Sequence, residues 1–259
     1  MVEAWALALR EFRSFLRSPL GYVLLAVHAL AAGLIFVTLL FLMREQLVAS
    51  AQESARSLRP AAVSVQLAVV TPYFINVASQ LLFVIPFVTM RSFAEERRSG
   101  RLQLLASYPL HVWQLVVGKY LGVLLFALLL IGISVLHAGI LIAVSTPIGG
   151  PLIGALLGLL LMTMALLAIG LFVSALAQGQ VEAAVLTLGL FLMLAMAGGV
   201  LRAGSAWYQT VIANLSPLYQ YTGFGQGLFS WSAVLYFVAV TVFFVALSAR
   251  GVDLIKWRG

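Results

Sequence analysis

The charged side chains of this sequence are concentrated in one short stretch. Only 9% of the residues in the chain are charged. Two carboxylates and four guanidinium groups nevertheless lie together in this stretch: Arg91, Glu95, Glu96, Arg97, Arg98 and Arg101. An apolar patch of Leu102, Leu104 and Leu105 follows at once. A small hydrophobic surface with a charged rim suits docking into a groove of a soluble partner. An ordinary solvated loop is the alternative that composition leaves open.

The motifs of nucleotide, metal and nucleophilic chemistry are absent from the sequence. No GxxxxGK[ST] loop occurs, and Tyr120 stands after Gly118 and Lys119 where Ser or Thr would be required. There is no HExxH motif, no GxSxG elbow and no cysteine. The histidines lack a neighbouring carboxylate: His28, His111 and His137. We therefore expect no catalytic residue, no metal ligand and no cofactor-binding residue in this chain.

Composition excludes a water-soluble enzyme. Hydrophobic residues make up 63% of the 259 residues and the mean hydropathy is +1.10. A soluble domain carries about 25% charged residues, which is far more than this chain has. Because a helical span needs about 20 apolar residues, the length fits roughly six spans with short connections.

Stretches without Asp, Glu, Lys or Arg locate these spans, because a charge at the middle of a span costs about 2.5 to 3.5 kcal/mol. A turn-rich segment from Ser145 to Pro151 divides the longest stretch into two. Continuous apolar runs predict helices and not barrel strands. The predicted fold class is all-α, a polytopic membrane protein with one domain over 1–259 and six transmembrane helices: 18–43, 65–90, 113–144, 152–176, 182–202 and 230–250.

A few polar and small residues inside these spans have two interpretations. Asn76 and Gln80 share a helix face of the second span, where they either line a translocation path or bond to a neighbouring helix. His28 and His137 suit a proton relay, although a neutral histidine bonded to a carbonyl is commoner. A GxxxGxxxG pattern in the fourth span predicts close helix packing or a subunit interface: Gly150, Gly154 and Gly158.

Lys and Arg predict the orientation. They are more numerous on the side that holds both termini, so the positive-inside rule predicts that both termini are cytoplasmic. The net charge of +7 then reflects topology and attraction to anionic lipid of the bilayer. We expect no nucleic-acid partner.

Residues 1–17 have the pattern of an amphipathic helix that lies in the membrane interface. Apolar side chains recur at helical spacing on one side, at Trp5, Leu9, Phe12 and Leu16, and arginines take the other, at Arg10, Arg13 and Arg17. The alternative is a charged extension of the first span, interrupted by Pro19.

Two connecting segments have patterns of their own. In the segment 91–112, the second span is expected to continue as a helix to Arg98, where Gly100 supplies a left-handed end. A short amphipathic piece then follows, before a turn at Ser107 and Pro109. The segment 203–229 is rich in Gly, Trp and Tyr and contains Pro217, which is unusual for a simple loop.

Residues 91–100, 104–110 and 118–122 resemble the permease subunits of type-2 ABC exporters, and within them the gliding-motility-associated branch. Residues 18–22, 169–172 and 215–217 are similar to the same branch. The resemblance implies that residues 1–17 form a connecting helix and that 203–229 forms an outer re-entrant segment. It also implies that 91–112 contains a coupling helix that contacts the ATPase through Glu95, Glu96, Arg97, Arg98, Ser99, Gly100, Arg101, Leu102, Leu104 and Leu105.

The resemblance further implies a bacterial inner-membrane exporter with two permeases, which are copies of this chain or a related one, and two separately encoded ATPases. An auxiliary membrane protein with an external domain would be a further partner, since the short loop 44–60 leaves no large external domain in this chain. The alternative function is a membrane anchor or scaffold of an envelope or motility complex without its own substrate. An ion-driven transporter is disfavoured because no buried carboxylate is available to carry a proton.

Overall fold

The computed structural model describes residues 2–57, 64–98, 111–144, 149–200 and 207–258. Within these ranges the secondary structure is helical, without strands. Six helices are long and apolar enough to cross a membrane: Pro19–Gln52, Leu67–Arg97, Val112–Ala143, Gly150–Leu176, Gln180–Gly198 and Trp231–Asp253. The predicted all-α, six-span fold class is therefore confirmed.

We number the α-helices in chain order. They are α1 (Val2–Arg17), α2 (Pro19–Ser57), α3 (Thr71–Thr89), α4 (Ala94–Arg98), α5 (Val112–Val144), α6 (Gly149–Leu176), α7 (Gln180–Val200), α8 (Trp207–Leu215), α9 (Pro217–Gly225) and α10 (Trp231–Arg258). A π-helical turn, Gln66–Val70, leads into α3.

Helices α3 and α6 form the centre of the bundle. The span that contains α3 is 61% buried and that of α6 is 67% buried, whereas the spans of α2 and α10 are each 22% buried. The outer helices expose large apolar side chains such as Leu30, Leu136 and Leu235. In lipid such exposure carries no hydrophobic penalty, because the hydrocarbon tails are as apolar as leucine.

The helix α1 is separate from the first span and packs along α5. The chain bends at Ser18, between the end of α1 and Pro19. A β-carbon on Gly118 would lie 2.8 Å from the Leu7 Cβ, and one on Gly122 would lie 2.5 Å from the Glu11 Cβ. These two glycines therefore let the backbones of α1 and α5 approach closely, as small residues do between membrane helices.

The segment after the first span differs from the expected loop. The helix α2 does not end near Met43 but continues to Ser57. Residues 44–57 are rich in Ala, Glu, Gln, Arg and Leu and contain neither Gly nor Pro. These are strong helix formers, so the helix persists where the hydropathy falls.

The second span also differs from its expected course. A continuous helix to Arg98 was predicted, but α3 ends at Thr89 and a turn separates it from α4. The hydroxyl of Ser174 on α6 accepts hydrogen bonds from the backbone N–H groups of Phe93 and Ala94, at 3.1 and 3.2 Å. A distant side chain thus takes donors that a continuous helix would have used internally.

Candidate functional site

The stretch after the second span meets α1, α5 and α6 around one buried cation. Lys119 on α5 has a side chain that is only 1% exposed. Its Nζ donates to the carbonyl of Ser92 at 2.6 Å and forms an ion pair with Glu96 at 2.9 Å. Glu11 of α1 lies 3.8 Å from the same nitrogen. The ammonium group therefore joins α1, α4 and α5.

This arrangement is what burial of an ammonium group requires. A buried charge is stable only when a partner and additional hydrogen bonds replace its water shell. Lys119 has two carboxylates and one carbonyl, and its Nζ lies 5.2 Å from the ring centroid of Phe93. Arg10 adds a longer contact to Glu96, at 4.0 Å.

A second arginine ties the turn before α4 to the junction between α1 and α2. Arg91 donates to the hydroxyl of Ser18 at 2.7 Å and to the carboxylate of Glu95 at 3.2 Å. Its guanidinium carbon lies 5.6 Å from the ring centroid of Phe15, which itself stacks on Phe126 of α5 at 4.8 Å. Arg91 thus contacts both α1, at Phe15, and Ser18, which separates α1 from α2.

Helix α6 holds the other side of the same turn. Besides accepting two backbone N–H groups, Ser174 donates to the carbonyl of Met90 at 3.3 Å. Arg97 donates to the carbonyl of Leu176 at 2.8 Å. A β-carbon on Gly170 would overlap the side chain of Thr89, so α3 and α6 also approach closely just before the turn. The turn and α4 are therefore held by contacts with α1, α5 and α6 together.

The predicted coupling residues fall partly inside this arrangement. Glu96 and Arg97 contact other helices as described, Glu95 pairs with Arg91 of the preceding turn, and Arg98 is the last residue of α4. The remaining predicted residues lie outside the described part of the chain: Ser99, Gly100, Arg101, Leu102, Leu104 and Leu105.

Sequence reasoning missed three contributors, Glu11, Lys119 and Ser174. A signal existed for Lys119, because it is the only Asp, Glu, Lys or Arg between Arg101 and Glu182. A lone charge in such an apolar stretch must find a partner. Ser174 had no comparable signal, since it lies 81 residues from Phe93.

The polar residues of α3 are placed differently from each other. Asn76 is exposed, and its amide donates to the carbonyl of Pro72 in its own helix at 2.8 Å. Gln80 is half-buried and donates to the carbonyl of His28 in α2 at 3.2 Å. Phe83 and Phe87 continue the same face toward α4 and are exposed. Apart from the Gln80 contact with α2, this face of α3 is thus exposed, at Asn76, Phe83 and Phe87.

The two span histidines contact different groups. His28 is hydrogen-bonded to the carbonyl of Leu130 at 3.2 Å, and His137 to the hydroxyl of Tyr73 at 2.8 Å. The ring of Phe36 lies 4.9 Å from that of His137. No group of three His, Cys, Asp or Glu side chains in the described ranges could hold a metal ion.

The opposite end of the bundle carries α8 and α9, between the fifth and sixth spans. Ser216 caps α9 by accepting the N–H of Tyr219 at 3.4 Å. Tyr221 donates to the carbonyl of Ala155 in α6 at 3.2 Å, and burial raises the pKa of this hydroxyl, so it remains protonated. Phe224 occupies the space that a side chain on Gly158 would need. Gly158 of α6 therefore packs closely against α9, and a β-carbon on Gly154 would lie 3.7 Å from Gly227, whereas one on Gly150 would meet no atom of the described residues within 4 Å.

Comparison with known proteins adds the family. A family model described as ABC-2 family transporter protein matches residues 5–252. No curated protein matches the sequence significantly. Because the match covers nearly the whole chain and six helices can cross a membrane, this multi-pass membrane protein belongs to the ABC-2 transporter family and is a permease subunit of an ABC transporter.

Proposed function

We propose that this chain is one of two permeases of an exporter and that it receives movement from a separately encoded ATPase through the segment 91–112. Family membership implies association with an ABC ATPase subunit. We place the ATPase on the end of the bundle that carries α1 and α4, which makes this end and both termini cytoplasmic. The excess of Lys and Arg on this end supports that orientation.

One observation carries the proposal. The ion pairs and hydrogen bonds of Lys119, Arg91 and Ser174 fix the described beginning of the segment to three neighbouring helices. A force applied to this segment would therefore reach α5 and α6 as well as α3. Nucleotide-driven closure of an ATPase dimer needs such a stiff connection in order to change the populations of the transporter's conformations.

We propose that the second permease packs on the exposed side of α3 that carries Asn76, Phe83 and Phe87. The exposed Asn76 supports this, because a polar side chain in lipid favours a partner helix. Phe83 and Phe87 extend the same face with apolar area. In a symmetric pair this face would contact its own copy, and substrate would pass between the two copies.

The finer assignments belong to the same proposal. The similarity of residues 91–110 to the gliding-motility-associated branch supports membership of that branch and a location in the bacterial inner membrane. An auxiliary membrane protein with an external domain remains a further proposed partner. The alternative, an anchor or scaffold without substrate, would not require an ATPase on the segment 91–112.

A photo-crosslinking experiment tests the docking site. The chain is expressed together with its separately encoded ATPase, and a photoreactive amino acid replaces Leu104 or, as the control on the opposite end of the bundle, Gln52. We expect the ATPase to crosslink to position 104 and not to position 52. Crosslinking at position 52, or at neither position in a complex that still copurifies, would overturn the docking site.

A disulfide experiment tests the second permease. Because the chain contains no cysteine, Asn76→Cys introduces a single thiol on the exposed face of α3. We expect oxidation in membranes to yield a covalent dimer. The control is Leu235→Cys on α10, which is 66% exposed and lies on another face. A dimer with the control variant but not with Asn76→Cys would place the contact elsewhere.

A further inference from the structure

A cleft of about 850 Å³ opens between α1 and the beginning of the segment 91–112. Its walls carry five cations, Arg10, Arg13, Arg17, Arg91 and Lys119. They outnumber the carboxylates of the cleft, which are Glu11, Glu95 and Glu96. The volume is within the range of about 300 to 1,000 Å³ that is typical of small-ligand sites.

The cations of the cleft divide into two groups. Lys119, Arg91 and Arg10 each lie within 4.0 Å of a carboxylate of the cleft. Arg13 and Arg17 are exposed and form no ion pair with any residue in the described ranges. Since the carboxylates are already engaged by other cations, these two guanidinium groups are available to an external anion.

The position of the cleft relative to the membrane follows from where the neighbouring spans begin and end. Arg17 is followed after one residue by Pro19, where the first span begins, and Arg91 comes two residues after Thr89, where α3 ends. Both ends of the cleft therefore lie where spans leave the lipid. Leu9 and Phe15 add apolar side chains to the same walls.

We propose that this cleft binds the phosphate headgroup of an anionic phospholipid, with Arg13 and Arg17 as its main ligands. Guanidinium groups match phosphate oxygens in geometry and charge. A lipid can place its phosphate in the cleft and keep its acyl chains on the apolar side of α1, where Trp5 is 52% exposed and Leu9, Phe12 and Leu16 are half-buried. A free phosphate would gain nothing from that apolar side.

The position of the cleft favours a lipid over a protein partner. Of the residues proposed to contact the ATPase, only Glu95 and Glu96 line the cleft, and both are already paired with Arg91 and Lys119. Arg13 and Arg17 adjoin the entry of the first span and are not among the proposed ATPase contacts. An acidic surface of the ATPase is the competing occupant, and the experiment must separate the two.

The main test measures retained lipid on the full-length purified chain and does not depend on transport; copurification of the ATPase with each variant is measured separately. Native mass spectrometry records the binding of phosphatidylglycerol and of phosphatidylcholine to the wild type and to three double variants. Arg13→Gln/Arg17→Gln removes the two charges, and Arg13→Lys/Arg17→Lys keeps them. Arg250→Gln/Lys256→Gln, the matched control, removes two charges from α10, close to the other terminus.

We expect the wild type to prefer phosphatidylglycerol and the Gln variant of α1 to bind it more weakly, roughly five-fold for each arginine and so roughly thirty-fold for both. The Lys variant should stay within a few-fold of the wild type, and the control should be unchanged. Higher ionic strength should weaken the binding of phosphatidylglycerol to the wild type, so that its affinity approaches that of the Gln variant. The Lys variant and the salt series still decide the question if the Gln variant does not fold.

Three results would overturn the proposal. The first is equal binding of phosphatidylglycerol by the wild type and a folded Gln variant. The second is displacement of the lipid by inorganic phosphate at millimolar concentration, which would indicate a site for the free anion. The third is loss of ATPase copurification with lipid binding retained in the Gln variant, which would make the cleft a docking surface for the ATPase and leave the proposed function intact.

Discussion

At the residue scale, Lys119 connects more elements than any other side chain of the candidate functional site described above. Its ammonium group is shared by carboxylates of α1 and α4 and by the backbone of the intervening turn. A buried lysine here requires both carboxylates and the carbonyl. If the lysine or a carboxylate were removed, the charge that remained would be buried without compensation.

We predict that Lys119→Met destabilises the protein by about 3 kcal/mol, because it leaves Glu96 and Glu11 without their buried cation. Adding Glu96→Gln in the same chain should recover part of the loss, since it removes one uncompensated charge. The free energy of unfolding in mixed micelles measures both effects as a double-mutant cycle. Strictly additive losses would show that the pair does not interact.

At the scale of elements, the contact between α1 and α5 is made backbone to backbone. Ala4 and Ala8 on α1 are buried, and Gly118 and Gly122 of α5 face this side of α1. The carbonyl of Ala8 would lie 3.0 Å from a β-carbon on Gly122. Such a contact has no flexible side chain that could move aside to accept added volume.

We predict that Gly122→Ala lowers stability by about 1 to 3 kcal/mol and loosens α1 from α5, because the added methyl group meets Glu11 and Ala8. The control is Gly132→Ala on the same helix, where a β-carbon meets nothing within 4 Å. This control should be neutral or slightly stabilising, since alanine favours helix more than glycine does. Melting temperature and the rate of tryptic cleavage after Arg13 report the two effects.

The two variants must differ for the packing argument to hold. If Gly122→Ala melts and is cleaved like Gly132→Ala, the close approach of α1 to α5 does not exist in the membrane-embedded protein.

At the scale of the whole molecule, charge and hydropathy were enough to predict six spans and an all-α fold. The insertion cost of a charge explains why, since it acts on every span independently of its neighbours. What escaped prediction depends on other physics. The extension of α2 to Ser57 follows from helix propensity in a polar segment, and the break after Thr89 depends on Ser174 from a distant helix.

The candidate site was predictable only in its outline. Clustering of charge located Glu96 and Arg97, which contact other helices, and Glu95, which pairs with Arg91 of the preceding turn. The identity of their partners required the tertiary structure, because Glu11 and Lys119 come from helices far apart in the chain. Hydrophobic periodicity similarly identified an amphipathic α1, yet it did not reveal that Ala4 and Ala8 form a third side of this helix against α5.

The orientation of the molecule yields a labelling prediction. In intact cells we expect a cysteine at Ser54 to react with an impermeant maleimide and a cysteine at Ser99 to react only after permeabilisation, because we propose that the arginine-rich end faces the cytoplasm. The absence of native cysteine means that each signal comes from one position. The reverse pattern would invert the proposed topology.

The dependence of α1 on α5 has a consequence for biosynthesis. Roughly 110 residues separate Ala8 from Gly122, and ribosomes add roughly 5 to 20 residues per second, so the first helix emerges roughly 5 to 20 s before its docking surface exists. During that interval it must rest on the bilayer surface, for which its amphipathic pattern and arginines are suited. Slowing elongation between these two positions would prolong this exposed stage and its vulnerability to cytosolic proteases.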